Sequence, residues 1–239
     1  MVGPNYTAPA IPTPDTWNQA IRGDVNSSRS DISGWWRRFH DPTLNKLIGV
    51  AAAENRDLII AAERIEEARA FEGVARGGLF PYASGSGGIS RTRSSGNTSA
   101  LPSSNSTVYD AGIGAGWELD FVGGLRRSVE AAQANTAATE EFYRDALVVI
   151  YASVAESYID YRTLQERISV VNSNIELQKK SVSLTKDRFD AGIAPEIDWT
   201  QAKTNLANSE SQIPALQIQL AQTLNRLAVL LGRYPGGVQ

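Results

Sequence analysis

The sequence contains no cysteine and a single histidine, His40. Disulfides, thiolate nucleophiles and Cys-type metal sites are therefore excluded, and multi-histidine sites or His-based catalysis have no material. There is no basic block either. Lys and Arg number 23 against 26 Asp and Glu, for a net charge of -3, so the cationic stripe that a nucleic-acid backbone demands is missing. No apolar run reaches the roughly 18 residues of a transmembrane helix, and no basic segment leads into an apolar one as in a signal peptide. Neither absence bears on a transmembrane β-barrel, whose strands are short alternating segments. What is present is a chain of 239 residues, 42% apolar and 21% charged, enough for one or two ordinary domains with a core.

Residues 1–40 read as an extended arm. Pro4, Pro9, Pro12 and Pro14 favour extended backbone, and Trp17, Trp35, Trp36 and Phe39 would anchor the arm along another surface. Residues 41–78 read as one amphipathic helix. Asp41 supplies the cap and Pro42 the first helical position, with Leu44, Ile48, Ala51, Asn55, Leu58, Ala62 and Ile65 on one face.

Residues 79–121 change character, with two strands expected around the Ser- and Asn-rich loop Ser94–Ser106. In the second strand Tyr109, Ala111, Ile113, Ala115, Trp117 and Leu119 alternate with Asp110, Gly112, Gly114, Gly116 and Glu118. One face is apolar and the other small or acidic. A soluble surface hairpin and a pair of barrel strands both fit this pattern; an isolated hairpin is marginal in water and needs partners.

The strongest signal covers 122–191. From Leu125 to Ala191 there is neither glycine nor proline, which predicts one helix about 100 Å long. Leu147, Val154, Tyr161, Ile168, Ile175, Val182 and Phe189 recur every seven residues, followed three later by Ile150, Ser157, Leu164, Val171, Gln178 and Thr185. A seam kept in this register predicts a left-handed supercoil. Residues 192–195 read as a turn, with Gly192 in the left-handed cap position and Pro195 opening the next helix. Residues 196–232 form the return helix, with Trp199, Leu206, Ile213, Leu220 and Leu227 in a matching seam. Pro214 should kink that helix near 210–214 without ending it. Residues 233–239 are a tail. The expected fold is mainly α: a long antiparallel coiled-coil hairpin plus two strands, with neighbours missing beside both.

The sequence resembles the outer membrane efflux protein family, trimeric channel-tunnels of tripartite pumps, in its lipoprotein branch. The resemblance rests on Val2-Gly3-Pro4-Asn5-Tyr6, on Trp35-Trp36 with Phe39, Asp41, Pro42, Leu44 and Leu47, on Trp117-Glu118-Leu119-Asp120-Phe121, and on Arg188-Phe189-Asp190-Ala191-Gly192 with Asp198. Only the first half of a family protomer is matched, and the branch's acylated cysteine has no counterpart. The resemblance implies a passive outer-membrane conduit for drugs, metals or other small molecules, with its two strands forming a transmembrane β-hairpin of a shared β-barrel and its helices in the periplasm. It implies no enzyme activity, cofactor or metal. The implied partners are two further copies in a homotrimer, a periplasmic adaptor, an inner-membrane pump and outer-membrane lipid, with no nucleic acid.

The same resemblance implies that Arg188, Asp190, Gly192 and Asp198 form an adaptor-contacting tip, with Arg188 and Asp190 making polar contacts there; Lys186 and Asp187 themselves read as solvated residues. Asp110 and Glu118 are the expected lumen-facing strand residues; Tyr109, Ile113 and Trp117 are the expected lipid-facing ones. The competing reading is a soluble or periplasmic coiled-coil adaptor or scaffold. The glycine clusters Gly77-Gly78 and Gly85-Ser86-Gly87-Gly88 do not follow a strand and open a helix as a phosphate loop requires.

Overall fold

The computed structural model describes residues 2–4, 33–93 and 105–237. The arm residues 5–32, with Trp17, and the loop residues 94–104 lie outside the described residues. Two units are distinguished. One holds Arg64–Glu140 with residues 2–4; the other holds the described residues up to Glu63 and those from Glu141 onward.

In the second unit, Trp35–Phe39 form a turn of 3₁₀ helix rather than extended chain. Trp36 meets Tyr151 edge-on, with ring centroids 5.1 Å apart. Helix α1, Pro42–Glu54, starts as its sequence dictates: the Asp41 carboxylate accepts from the backbone N–H groups of Thr43 (2.8 Å) and Leu44 (3.2 Å). The expected single helix is broken in two. Asn55 takes extended dihedrals, and its side-chain oxygen caps α2, Arg56–Gly77, by accepting from Asp57 and Leu58. The break moves the buried stripe: Leu44, Ile48, Ala51, Asn55 and Leu58 are buried, but Ala61 is half-buried where Ala62 is exposed.

Helix α3 runs unbroken from Gly124 to Asp190, 67 residues. Within the second unit its seam residues from Leu147 to Phe189 are each buried or half-buried, while nearly every residue between them past Tyr158 is exposed. The return leg consists of α4, Glu196–Glu210, and α5, Gln212–Leu230. The interruption at Ser211 is one residue long, and Ser211 keeps right-handed helical dihedrals. Proline 214 cannot donate to the Glu210 carbonyl, which loosens the ladder there. The buried positions nevertheless continue in phase through Ser209, Ile213, Leu216 and Leu220.

The core of this unit joins α1, the start of α2, α3 and α5 through Leu44, Ile48, Leu58, Val154, Tyr158 and Leu227. Each large apolar side chain fully removed from water there contributes about 1.5–3 kcal/mol. At its edge, the Asn55 amide donates to the Leu230 carbonyl at 2.8 Å. Gly232, at φ +71°, lies so close to Glu54 that a Cβ would strike that residue's carbonyl oxygen.

The first unit contains the strand pair and the neighbouring parts of α2 and α3. Arg69 bridges Glu66 (2.7 Å) and Glu140 (2.9 Å), linking the two helices at their exposed surface. Asp120 accepts from the Arg126 backbone N–H at 3.0 Å, capping the start of α3. Arg127 ties down the chain start, donating to the carbonyls of Val2 and Gly3.

Candidate functional site

Two places carry the residues of interest: the strand pair and the hairpin tip. Strands β1, Tyr82–Arg93, and β2, Asn105–Gly116, are antiparallel, in a register running from Tyr82 opposite Gly116 to Arg93 opposite Asn105. Alternation places Ala83, Gly85, Gly87 and Ile89 on one face with Ala115, Ile113, Ala111 and Tyr109. The other face carries Ser84, Ser86 and Gly88 opposite Gly114, Gly112 and Asp110.

Tyr109 and Ile113 therefore share the apolar face with Ile89, and Asp110 stands on the opposite one. Ile113 is 94% exposed and Ile89 and Tyr109 are each 74% exposed. Two of the expected strand residues fall outside the strand. Pairing ends at Gly116, where the register meets Tyr82 at the start of β1, so Trp117 and Glu118 follow β2. Trp117 instead donates its indole N–H to the Leu79 carbonyl at 3.1 Å, and Glu118 is exposed. At its other end the strand is longer than its alternation indicated, beginning at Asn105 inside the expected loop.

At the tip, Gly192 adopts φ +73°. Its N–H donates to Phe189 (2.8 Å) and the Ile193 N–H donates to Arg188 (2.9 Å). These are the two bonds of a Schellman ending, which needs a left-handed residue where a side chain would be strained. Pro195 is the N-cap of α4 rather than its first helical residue, and Asp198 lies in the first turn, its N–H donating to Pro195 at 3.2 Å. An acidic residue there is favoured by the helix dipole.

Lys186 and Asp187 are both exposed to solvent. Lys186 pairs with Asp190 at 2.9 Å, four residues on along the same helix face, and the bond holds the ammonium above the ordinary lysine range. Arg188 is two residues from Asp190, on a different face, and supplies its main-chain carbonyl to the turn. Below the turn Phe189 stacks on Trp199, centroids 5.9 Å apart, with the Lys203 ammonium 4.0 Å from the indole centroid. Arg188, Asp190 and Gly192 are thus drawn into one turn, with Asp198 just beyond it. Among the described residues, no group of three metal-ligating side chains gathers, and no helix is long and apolar enough to cross a membrane.

Residues 47–233 match the outer membrane efflux protein family. The chain belongs to that family. This outer membrane efflux protein is 32% identical over 235 residues to the antibiotic efflux pump outer membrane protein ArpC of Pseudomonas putida, covering 96% of this chain and 48% of that protein. It is 30% identical over 236 residues to the probable outer membrane lipoprotein SilC of Salmonella typhimurium, covering 98% of this chain and 50% of that protein. The solved outer-membrane channel OprN superposes with a TM-score of 0.73 at 29% identity, covering 94% of this chain and 53% of that one. The chain spans about half the length of the curated relatives it matches.

The residues that sequence reasoning passed over are the ones that join elements: Asn55, Asp120 and Arg127. Asn55 and Asp120 are acceptors two to six residues ahead of the N–H groups they cap, a signal readable in principle. The reach of Arg127 to Val2, across a sequence separation of 125, left no local trace.

Proposed function

We propose that this chain forms part of an outer-membrane channel serving a tripartite efflux pump. It would provide a passive path for small molecules such as drugs or metal ions from the periplasm to the outside. The observation that carries the reading is the strand pair: an exposed face that is apolar from Ala83 to Ile89 and from Tyr109 to Ala115, backed there by a face of serine, glycine and one carboxylate, in a chain of this family. An exposed apolar sheet face of this kind suits hydrocarbon, and the small polar face suits a wet lumen. A soluble adaptor or scaffold would have to bury Ile89, Tyr109 and Ile113 against protein.

In this assignment Tyr109 and Ile113 face lipid, with Trp117 at the membrane edge beyond the strand, and Asp110 faces the lumen, with Glu118 at its mouth. Three copies would share one barrel, and the long helices would stand in the periplasm. Arg188, Asp190, Gly192 and Asp198 would meet a periplasmic adaptor, and the inner-membrane pump would supply the energy. No bond is made or broken by the conduit, and its work needs no cofactor.

The test is complementation. Inactivating the gene should raise accumulation of exported dyes and drugs, and the intact gene should restore export. Gly192→Pro should fail to restore it while still reaching the outer membrane, because proline's φ near -65° cannot replace +73°. Export unchanged by loss of the gene would overturn the channel assignment. Full export by the Gly192→Pro protein, with its adaptor complex retained, would overturn the role of the tip.

A further inference from the structure

The polar face of the strand pair is built on one rule. At four successive positions a side chain on one strand faces a glycine on the other: Tyr82 with Gly116, Ser84 with Gly114, Ser86 with Gly112, and Asp110 with Gly88. Each side chain leans back over its glycine. A Cβ on Gly114 would stand 3.1 Å from the Ser84 hydroxyl, and one on Gly112 would stand 3.2 Å from the Ser86 hydroxyl. A Cβ on Gly88 would stand 2.7 and 3.0 Å from the two carboxylate oxygens of Asp110. The glycines thus leave room for these side chains to fold down onto the sheet, and the Asp110 carboxylate rests against it.

Asp110 is also the only ionisable carboxylate on that face. Its remaining members are hydroxyl residues, Val108 and glycines, while Arg91 and Arg93, opposite Thr107 and Asn105, stand on the other face. No cation of either strand neutralises Asp110 from its own side.

Resting on the reading of this face as the wall of a passage, we infer that Asp110 determines the ion preference of the passage. Gly88 acts as a positioning residue, holding the carboxylate out of the open path. A fixed anion on a water-filled wall concentrates cations within about one Debye length, roughly 10 Å at 0.1 M salt and 30 Å at 0.01 M. The preference for cations is therefore strong in dilute salt and fades in concentrated salt.

The experiment measures reversal potential and conductance of the intact protein in planar bilayers, under a potassium chloride gradient of about 10 mM mean concentration. The unsubstituted protein should favour potassium. Asp110→Asn should lower the potassium-to-chloride permeability ratio about twofold or more, and Asp110→Glu should retain it. Gly88→Ala should keep the preference but lower the conductance, because its methyl group displaces the carboxylate into the path. A conducting Asp110→Asn protein with an unchanged ratio would overturn the inference, as would an Asp110→Glu protein that behaves like Asp110→Asn. Unchanged conductance in Gly88→Ala would overturn the positioning role. No conductance from the unsubstituted protein would instead overturn the channel reading beneath it.

Discussion

Asn55 holds two helices and a third element together with one side chain. Its oxygen caps α2, its amide satisfies the Leu230 carbonyl near the end of α5, and only 2% of the residue is exposed. Asn55→Ala removes a cap worth about 0.5–2 kcal/mol and leaves a carbonyl unsatisfied at about 1–3 kcal/mol. The expected loss is about 2–4 kcal/mol in denaturant unfolding, with Asn55→Asp recovering the cap but not the bond to Leu230.

Asp41 joins elements in the same way. It caps α1 and accepts from the Tyr158 hydroxyl at 2.7 Å. That hydroxyl is the largest influence and favours the charged carboxylate; burial, next in size, opposes it, and the Leu44 and Thr43 N–H groups add to the hydroxyl, so the group is held below the ordinary aspartate range. A group whose folded pKa is depressed stabilises the fold above its unfolded value, and that contribution is lost as pH falls through the folded one. Tyr158→Phe should therefore lower the Tm at neutral pH, and the gap from the unsubstituted protein should close on acidification through Asp41's lowered range. A gap independent of pH would show that the bond does not act through the carboxylate. Asp41 was readable as a cap from the Asp-Pro pair alone. Asn55 was masked by its place on the apolar stripe of a good helical pattern: its cap of Asp57 and Leu58 is local, but its bond to Leu230 lies 175 residues away.

At the scale of elements, periodicity carried most of the information. A seven-residue repeat identifies which face of α3 is covered without any knowledge of its partner, because on a straight helix that seam would drift about 20° per heptad, and keeping it in contact requires the helix to supercoil. The buried and half-buried positions from Leu147 to Phe189 follow that repeat. Interruptions of the ladder are harder to read. Pro214 announced itself, yet the break it causes falls three residues earlier, at Ser211, where the loss of one donor is felt as looser hydrogen bonding. Pro214→Ala restores an N–H for the Glu210 carbonyl and removes a proline cost of up to about 3 kcal/mol. It should stabilise the return leg and slow amide exchange over residues 210–213. Faster exchange there would mean that the packing depends on the bend. Strand ends were equally obscure, since the alternation runs on through Trp117 and Glu118 while hydrogen-bonded pairing stops at the start of β1.

At the scale of the whole molecule, the two strands are the part that cannot stand alone. An isolated hairpin is at best marginally stable in water, and this one leaves Ile89, Tyr109 and Ile113 largely exposed on one side. These 239 residues contain no cysteine, so a single one introduced on the strand reports the orientation of that side once any cysteine elsewhere is replaced. Single cysteines placed in turn from residue 108 to residue 113 of the intact protein, each carrying a fluorophore, can be read in vesicles containing brominated lipid. Quenching should alternate residue by residue, strong at 109, 111 and 113 and weak at 108, 110 and 112. Uniform quenching, or none at any of the six positions, would contradict a strand that separates lipid from a water-filled passage.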